Sequence, residues 1–165
     1  VLSCGKPAVI DADGLNNLDD ELKKLLSLRH VLTPHPGEMA RLTGKSIEDV
    51  LRDPAGFAEN TAKAFGCIVL LKGAVSVAAH PDGRLRYNAS GNPGLAKGGS
   101  GDVLTGIITA LLAQGLEPFD AASAGAYILG SSAESALELL HERALTAGDV
   151  LDAIEKTAGI TEHRN

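Results

Sequence analysis

Residues 91–106 read Gly-Asn-Pro-Gly-Leu-Ala-Lys-Gly-Gly-Ser-Gly-Asp-Val-Leu-Thr-Gly. Five glycines and a proline in the first eleven positions exclude regular structure there, because glycine serves where the backbone takes a positive φ or lies close to a ligand. Apolar residues then recur at helical spacing, which predicts a helix over residues 100–114. A glycine loop that leads into a helix directs free backbone N–H groups and the positive end of the helix dipole at one point. The stretch therefore predicts an anion site, most often one for phosphate.

Asp102 follows this loop directly, in the first turn of the predicted helix. It can be a helix cap, since a carboxylate suits the positive end of the dipole, but Ser100 could cap the helix equally well. Beside a phosphate site, a carboxylate can instead act as the general base that deprotonates an attacking hydroxyl. We favour the base, because the loop, the helix start and the acid coincide. The stretch has neither the Gly-Lys-Ser/Thr of a P-loop nor the Gly-x-Gly-x-x-Gly of a dinucleotide fold.

The composition is that of a globular domain. The 165 residues are 44% hydrophobic and 22% charged, which suffices for a sizeable core in one domain over residues 1–165. A net charge of −6, with no basic run, argues against a nucleic-acid surface. No signal-peptide pattern and no apolar run long enough for a membrane span occur. Two cysteines without metal-type spacing favour a reducing compartment, so we expect a cytoplasmic protein.

Strand and helix patterns alternate along the chain, which indicates an α/β fold with a mainly parallel sheet. Strands are predicted over residues 7–12, 30–33, 67–72, 75–79 and 84–88, and an Asp-Gly turn joins the last two as a hairpin. Further helices are predicted over residues 18–28, 37–42, 46–51, 54–65, 119–138 and 146–157. The first strand follows Val1 within a few residues, so we expect the later part of a longer domain.

Polar residues follow several of these strands, where α/β proteins bind ligands. Residues 33–38 read Thr-Pro-His-Pro-Gly-Glu; taken alone, they favour a surface turn with a Glu at a helix start. Lys72, at the end of an apolar strand, can reach solvent or neutralise phosphate charge. Asp11 and Asp13 could hold a metal, but turn chemistry at Asp13 and Gly14 is commoner.

The whole of residues 91–106 resembles one branch of the ribokinase-like superfamily, the ADP/ATP-dependent NAD(P)H-hydrate dehydratases, which repair hydrated nicotinamide cofactors. Residues 98–102 resemble the anion hole and catalytic base of that superfamily, and Thr-Pro-His-Pro-Gly-Glu is similar to the dehydratase form of a motif that sugar kinases carry as Asn-x-x-Glu. The resemblance implies a ribokinase-like three-layer sandwich around a mainly parallel sheet. It extends over essentially all 165 residues, yet matches only the later part of the family domain, so the N-terminal portion would be absent.

The resemblance also implies a role for individual residues. Asp102 would be the catalytic base, with an anion hole formed by Gly99, Ser100 and Gly101. The hydrated nucleotide would contact His35, Asn16 and Asp102. Glu38 would place Mg²⁺ through water, and Lys97 could touch phosphate. The nucleotide contacts would be Lys72, Gly73, Ala74, Val75, Ser76 and Gly101.

The reaction that the resemblance implies is the dehydration of hydrated NADH or NADPH. ADP would be converted to AMP and phosphate by way of a phosphorylated intermediate. The sequence resembles bacterial members of the family, which favours ADP over ATP. A kinase of hydroxymethylpyrimidine or of a sugar is the nearest alternative, against which His35 counts. A non-catalytic nucleotide-binding fragment is another. The expected partners are further copies of the chain in a homo-oligomer, or else an N-terminal segment or epimerase domain that this chain lacks.

Overall fold

The computed structural model describes residues 2–137, 141 and 144–157. A five-stranded sheet with the order β1-β2-β3-β4-β5 runs through it. The strands are β1 Ala8–Ile10, β2 His30–Leu32, β3 Ile68–Leu71, β4 Ser76–Ala79 and β5 Leu85–Asn88. β1, β2 and β3 are parallel, whereas β4 and β5 are antiparallel to their neighbours. The sheet is therefore mixed, and the hairpin predicted at the Asp-Gly turn forms its antiparallel part.

The described residues form eight α-helices. They are α1 Asp13–Asn16, α2 Asp20–Lys23, α3 Pro36–Thr43, α4 Ile47–Arg52, α5 Pro54–Phe65, α6 Ser100–Ala113, α7 Pro118–Ala136 and α8 Ala147–Thr157. Six of them agree with predicted helices to within a few residues. The helix predicted over residues 119–138 ends at Ala136, and residue 138 lies outside the described residues.

The helix predicted over residues 18–28 is wrong, because two single turns, α1 and α2, replace it. Asp19 caps α2 by accepting a hydrogen bond from the backbone N–H of Leu22 at 2.8 Å, so that helix cannot start at residue 18. The chain then turns at Ser27, whose carbonyl accepts from the N–H of His30 at 2.9 Å. The leucines at 22, 25 and 28 remain exposed. The leucine face of a continuous helix over this segment would therefore have no continuous surface to pack against.

Alternate strand residues point to opposite faces of the sheet and form two separate cores. One core, which contains Ile68 and Leu70, packs against α6, α7 and α8. The other, which contains Val69 and Leu71, packs against α1, α3, α4 and α5. Helices on both faces of a sheet make three layers, as predicted. None of the helices in the described part of the chain combines the length and the apolar character that crossing a bilayer requires.

The small residues of α7 let α6 approach closely. Ala121, Ala122 and Ala133 are fully buried. A Cβ atom on Gly125 would lie only 2.6 Å from Cγ1 of Ile108 on α6. This close contact fixes the direction in which α6 leaves the glycine loop, and hence where its N-terminus lies.

Candidate active site

Three charged side chains meet where the parallel strands end. Asp11 follows β1, Glu38 lies in the first turn of the helix after β2, and Lys72 follows β3. The Nζ atom of Lys72 is 2.7 Å from Oδ1 of Asp11 and 3.9 Å from Oε2 of Glu38. The side chains are 22%, 12% and 7% exposed for Lys72, Asp11 and Glu38 respectively. We call these three residues the charged cluster; it places one cation between two mostly buried carboxylates.

Local chemistry at the start of α3 positions Glu38. Nδ1 of His35 accepts hydrogen bonds from the N–H groups of Gly37 and Glu38, at 3.0 and 3.3 Å. Oε2 of Glu38 accepts one from the N–H of His35 at 2.8 Å, which completes a capping box. Because Nδ1 accepts, the ring proton is on Nε2, 3.5 Å from Oε1 of Glu38. The imidazole stays half exposed and can still contact a ligand.

The glycine loop is held from both ends. At its start, the N–H of Gly91 donates to Oε1 of Glu134 on α7 at 2.7 Å. Further on, Nζ of Lys97 donates to the carbonyl of Leu145 at 3.1 Å, so that side chain is engaged with backbone in this structure. Gly99 caps α6 with a φ of 94°, a conformation that favours glycine. The loop therefore has a defined path into the helix.

The N-terminus of α6 lies against the charged cluster. A Cβ atom on Gly101 would be 3.1 Å from Oδ2 of Asp11 and 3.7 Å from Nζ of Lys72. Oγ1 of Thr105, one turn later, donates to the same Oδ2 at 3.4 Å. The predicted anion cradle and the charged cluster thus form one continuous site.

Asp102 is exposed in the first turn of α6. Its carboxylate makes no hydrogen bond or ion pair with any residue that the structure describes. The N-cap position belongs to Gly99, and no side chain caps the helix. Asp102 is therefore not engaged as a cap, and its carboxylate is without a partner among the described residues.

The other predicted contact residues have simpler surroundings. Gly73, Ala74 and Val75 form an exposed loop between β3 and β4, and Ser76 Oγ accepts from the N–H of Gly73 at 3.4 Å. The amide of Asn16 donates to Oδ1 of Asp13 at 3.5 Å, within its own helical turn. The roles predicted for these residues remain predictions.

Two residues of the site, Asp11 and Thr105, were not predicted to belong to it. The sequence singled out Asp11 only as a possible metal ligand and favoured turn chemistry for its segment. A usable signal existed, because an acid ending one parallel strand and a lysine ending another reach the same edge of the sheet. No pattern pointed to Thr105, whose contact depends on how α6 packs.

A divalent cation would need waters and substrate phosphates as ligands at this site, in addition to protein side chains. The described residues contain no group of three or more side chains that could hold a metal ion by themselves. Mg²⁺, however, is commonly bound through one or two carboxylates, with waters and substrate phosphates as its other ligands. Glu38, which is buried beside Lys72 near the N-terminus of α6, is a carboxylate that could take part in such a site.

Known proteins share this sequence and fold. The profile of the NAD(P)H-hydrate dehydratase family matches residues 1–156. The chain is 48% identical over 148 residues to the bifunctional NAD(P)H-hydrate repair enzyme of Moorella thermoacetica. It is 44% identical over 153 residues to the ADP-dependent (S)-NAD(P)H-hydrate dehydratase of Neisseria meningitidis. The ADP/ATP-dependent NAD(P)H-hydrate dehydratase of Bacillus subtilis, co-crystallised with ATP and Mg²⁺, matches with a TM-score of 0.83 at 32% identity.

These matches take in most of this chain but a smaller part of each relative. They cover 88% of the chain and 28% of the Moorella protein, and 90% of the chain and 52% of the Neisseria protein. For the Bacillus subtilis structure the shares are 97% and 57%. The chain thus spans about half, or less, of the curated relatives that it matches.

The fold extends beyond the dehydratases. A ribokinase-like superfamily protein of Enterococcus faecalis matches with a TM-score of 0.72 at 25% identity, over 92% of this chain and 52% of that one. A hydroxyethylthiazole kinase of Pyrococcus horikoshii matches with a TM-score of 0.70 at 24% identity, over 96% and 61%. The ribokinase-like fold expected from the sequence is confirmed.

Proposed function

The chain belongs to the NAD(P)H-hydrate dehydratase family, and we propose that the protein uses ADP to dehydrate hydrated NADH or NADPH. One observation carries this proposal. An exposed Asp102, free of partners among the described residues, stands at the end of a glycine loop whose helix N-terminus adjoins Lys72 and Glu38. A base, an anion cradle and a cation in one place are the components of phosphoryl transfer.

In the first step, the hydroxyl oxygen of the hydrate attacks the terminal phosphorus of ADP. Its proton passes to Asp102, and the bond between that phosphorus and the bridging oxygen breaks, which releases AMP. The N–H groups of Gly99, Ser100 and Gly101 stabilise the charge on the phosphoryl oxygens. In the second step, phosphate leaves the ring carbon with the electrons of the carbon–oxygen bond, and the adjacent carbon gives a proton to water. The double bond returns, and NAD(P)H with it, because phosphate is a better leaving group than hydroxide.

The remaining residues bind and orient. Lys72 neutralises phosphate charge next to the cradle. Mg²⁺, when bound, supplies further positive charge at the phosphates, and Glu38 would hold it through water. His35 and Asn16 contact the hydrate. The nucleotide is contacted by Lys72, Gly73, Ala74, Val75, Ser76 and Gly101.

ADP is favoured as the phosphoryl donor, since the Neisseria relative is named for its dependence on ADP. We assign the reaction to a reducing compartment, the cytoplasm, because Cys4 and Cys67 are both free thiols.

The test mixes the chain with NADH hydrate, Mg²⁺ and either ADP or ATP, and follows the return of NADH absorbance. We expect recovery with the wild type, and a rate about 10²–10⁴ times lower with Asp102→Asn, as for the loss of a general base. Asp120→Asn is the control, since Asp120 also lies exposed in the first turn of a long helix, where its partner is Arg86 and not a residue of the glycine loop. Its rate should equal that of the wild type.

Two results would contradict the proposal. One is the absence of recovery with either nucleotide. The other is equal recovery with Asp102→Asn, which would exclude Asp102 as the base even if dehydration occurred.

A further inference from the structure

We propose that Asp11 is a positioning residue, which holds Lys72 at the anion cradle and away from Glu38. The inference rests on the proposed use of ADP at this site. Lys72 has two carboxylates within reach, and its Nζ atom lies 2.7 Å from Asp11 but 3.9 Å from Glu38. Asp11 therefore decides which carboxylate the lysine neutralises.

The two oxygens of Asp11 have different partners. Oδ1 contacts the ammonium of Lys72, whereas Oδ2 accepts from Oγ1 of Thr105 at 3.4 Å. Oδ2 also lies close to the backbone of Gly101, since a Cβ there would be 3.1 Å away and would displace it by a few tenths of an ångström. The carboxylate is thus fixed against α6, and through it the position of Lys72 is tied to the helix N-terminus that would bind phosphate.

Without the charge of Asp11, Lys72 would turn to Glu38. Glu38 is the next carboxylate, its side chain is only 7% exposed, and charges are weakly screened where water is excluded. The four-carbon stem of a lysine is flexible enough to make that move. Two functions would then be lost together, because the cation would leave the cradle and the carboxylate that we assign to Mg²⁺ would be neutralised.

This role predicts an effect opposite to that of simple electrostatics. Removing a negative charge beside a phosphate site should strengthen the binding of an anion. If Asp11 positions Lys72, Asp11→Asn should instead weaken ADP binding, by about tenfold, a usual size for coupled neighbours. In a Lys72→Met background no cation remains to be positioned, so the same substitution should leave ADP affinity unchanged or raise it.

The experiment measures ADP affinity by calorimetry, with Mg²⁺, for the wild type, both single variants and the double variant of the 165-residue chain. The control is Asp20→Asn, which removes an exposed Asp–Lys pair, with Lys23 at 3.1 Å, and should leave ADP affinity unchanged. A merely structural role for Asp11 would weaken binding equally in both backgrounds. That result, a gain of affinity from Asp11→Asn alone, or no ADP binding by the wild type would each overturn the inference.

Thermal unfolding checks that Asp11→Asn folds. If it does not, Thr105→Val takes its place, since it frees only Oδ2 and should lower ADP affinity roughly threefold, the loss of one hydrogen bond. That loss should vanish in the Lys72→Met background, and its persistence would overturn the inference. NADH recovery is scored separately, so a chain that binds ADP with the expected reversal but regenerates no NADH would contradict the dehydratase proposal alone.

Discussion

At the scale of single residues, Gly101 is a glycine at a helical position that packs closely against Asp11. Its φ is that of an ordinary helix residue, so conformation does not require glycine there. Space favours it, because a Cβ would lie 3.1 Å from Oδ2 of Asp11, which would have to shift by a few tenths of an ångström. Gly106, in the same helix, has nothing within 4 Å of such an atom.

Gly101→Ala should therefore weaken ADP binding by about tenfold through displacement of Asp11 and Lys72. Gly106→Ala should leave ADP binding unchanged and raise the free energy of unfolding by roughly 0.5–1 kcal/mol, the usual gain when alanine replaces glycine in a helix. Calorimetry with ADP and chemical denaturation measure the two quantities. Equal ADP affinity in both variants would contradict the close packing of Gly101.

His30 lies at the opposite end of the sheet and has no part in the site. Its ring is buried, and Nδ1 accepts from the N–H of Ser27 at 3.0 Å. Nε2 is buried without a hydrogen-bond partner in the described part of the chain. Burial above all, and then the positive charge of Arg29, lower the pKa of His30 below its ordinary value of 6.5.

Stability should therefore fall as the pH drops below about 6.5. In that range the unfolded chain takes up a proton at residue 30 while the folded protein does not, so protonation favours unfolding. His30→Asn keeps an acceptor for Ser27 but cannot titrate. Urea unfolding between pH 7.5 and 5.5 should give a flatter dependence for this variant than for the wild type. An identical slope would show that other groups cause the loss.

At the scale of elements, what a sequence reveals depends on whether the pattern is local. β3 was predicted because four consecutive buried apolar residues are typical of a central strand. α4 and α8 have local start signals in the sequence, Ser46 before Asp49 and Thr146 before Asp149, which the structure contains as hydrogen bonds. The helix over residues 18–28 was predicted wrongly, because the spacing of leucines does not reveal whether the fold offers a surface against which their side chains can pack.

The contact between α6 and α7 leaves little space for a side chain at Gly125. Gly125→Ala would place a methyl group 2.6 Å from Cγ1 of Ile108, which is fully buried. We expect a loss of about 1–3 kcal/mol in the free energy of unfolding, as for other overpacked cores. Denaturant unfolding measures it, with Gly106→Ala as the uncrowded control. A variant as stable as that control would mean that the helices separate at little cost.

At the scale of the whole molecule, β1 is an edge strand, since among the strands that the structure describes it pairs with β2 alone. An apolar cavity of about 420 Å³ opens next to it, lined in part by Val9, Leu18 and Leu25. An exposed edge strand presents unpaired backbone N–H and C=O groups, which are a template for pairing with another strand. A second copy of the chain, an N-terminal segment or an epimerase domain remains the predicted partner.

Hydrogen exchange should distinguish β1 from the centre of the sheet. In the isolated chain, amides of Ala8–Ile10 should exchange faster than those of Ile68–Leu71, which lie between two strands. Mass spectrometry of peptides from the two strands measures the difference. Equal protection would mean that another copy covers the β1 edge in solution.

The candidate site was predicted in its components but not in its arrangement. The glycine loop, Asp102, Glu38 and Lys72 stood out because each follows a strand or starts a helix in the sequence. The pairing of Lys72 with Asp11, 61 residues away, depends on which strands are neighbours. Strand order is set by packing over the whole chain and leaves no mark near either residue.

The anchors of the glycine loop bear on how the protein is made. Lys97 is fastened to Leu145, 48 residues later, and a Cβ on Gly99 would touch Ala147. A growing chain adds roughly 5–20 residues per second, so about 2–10 s pass between the synthesis of the loop and that of its last anchor. The strands that end in Asp11 and Lys72 are made earlier still. On the ribosome, then, the residues of the charged cluster are synthesised before the last anchor of the glycine loop, and a chain that ends before residue 145 carries Asp102 without that anchor.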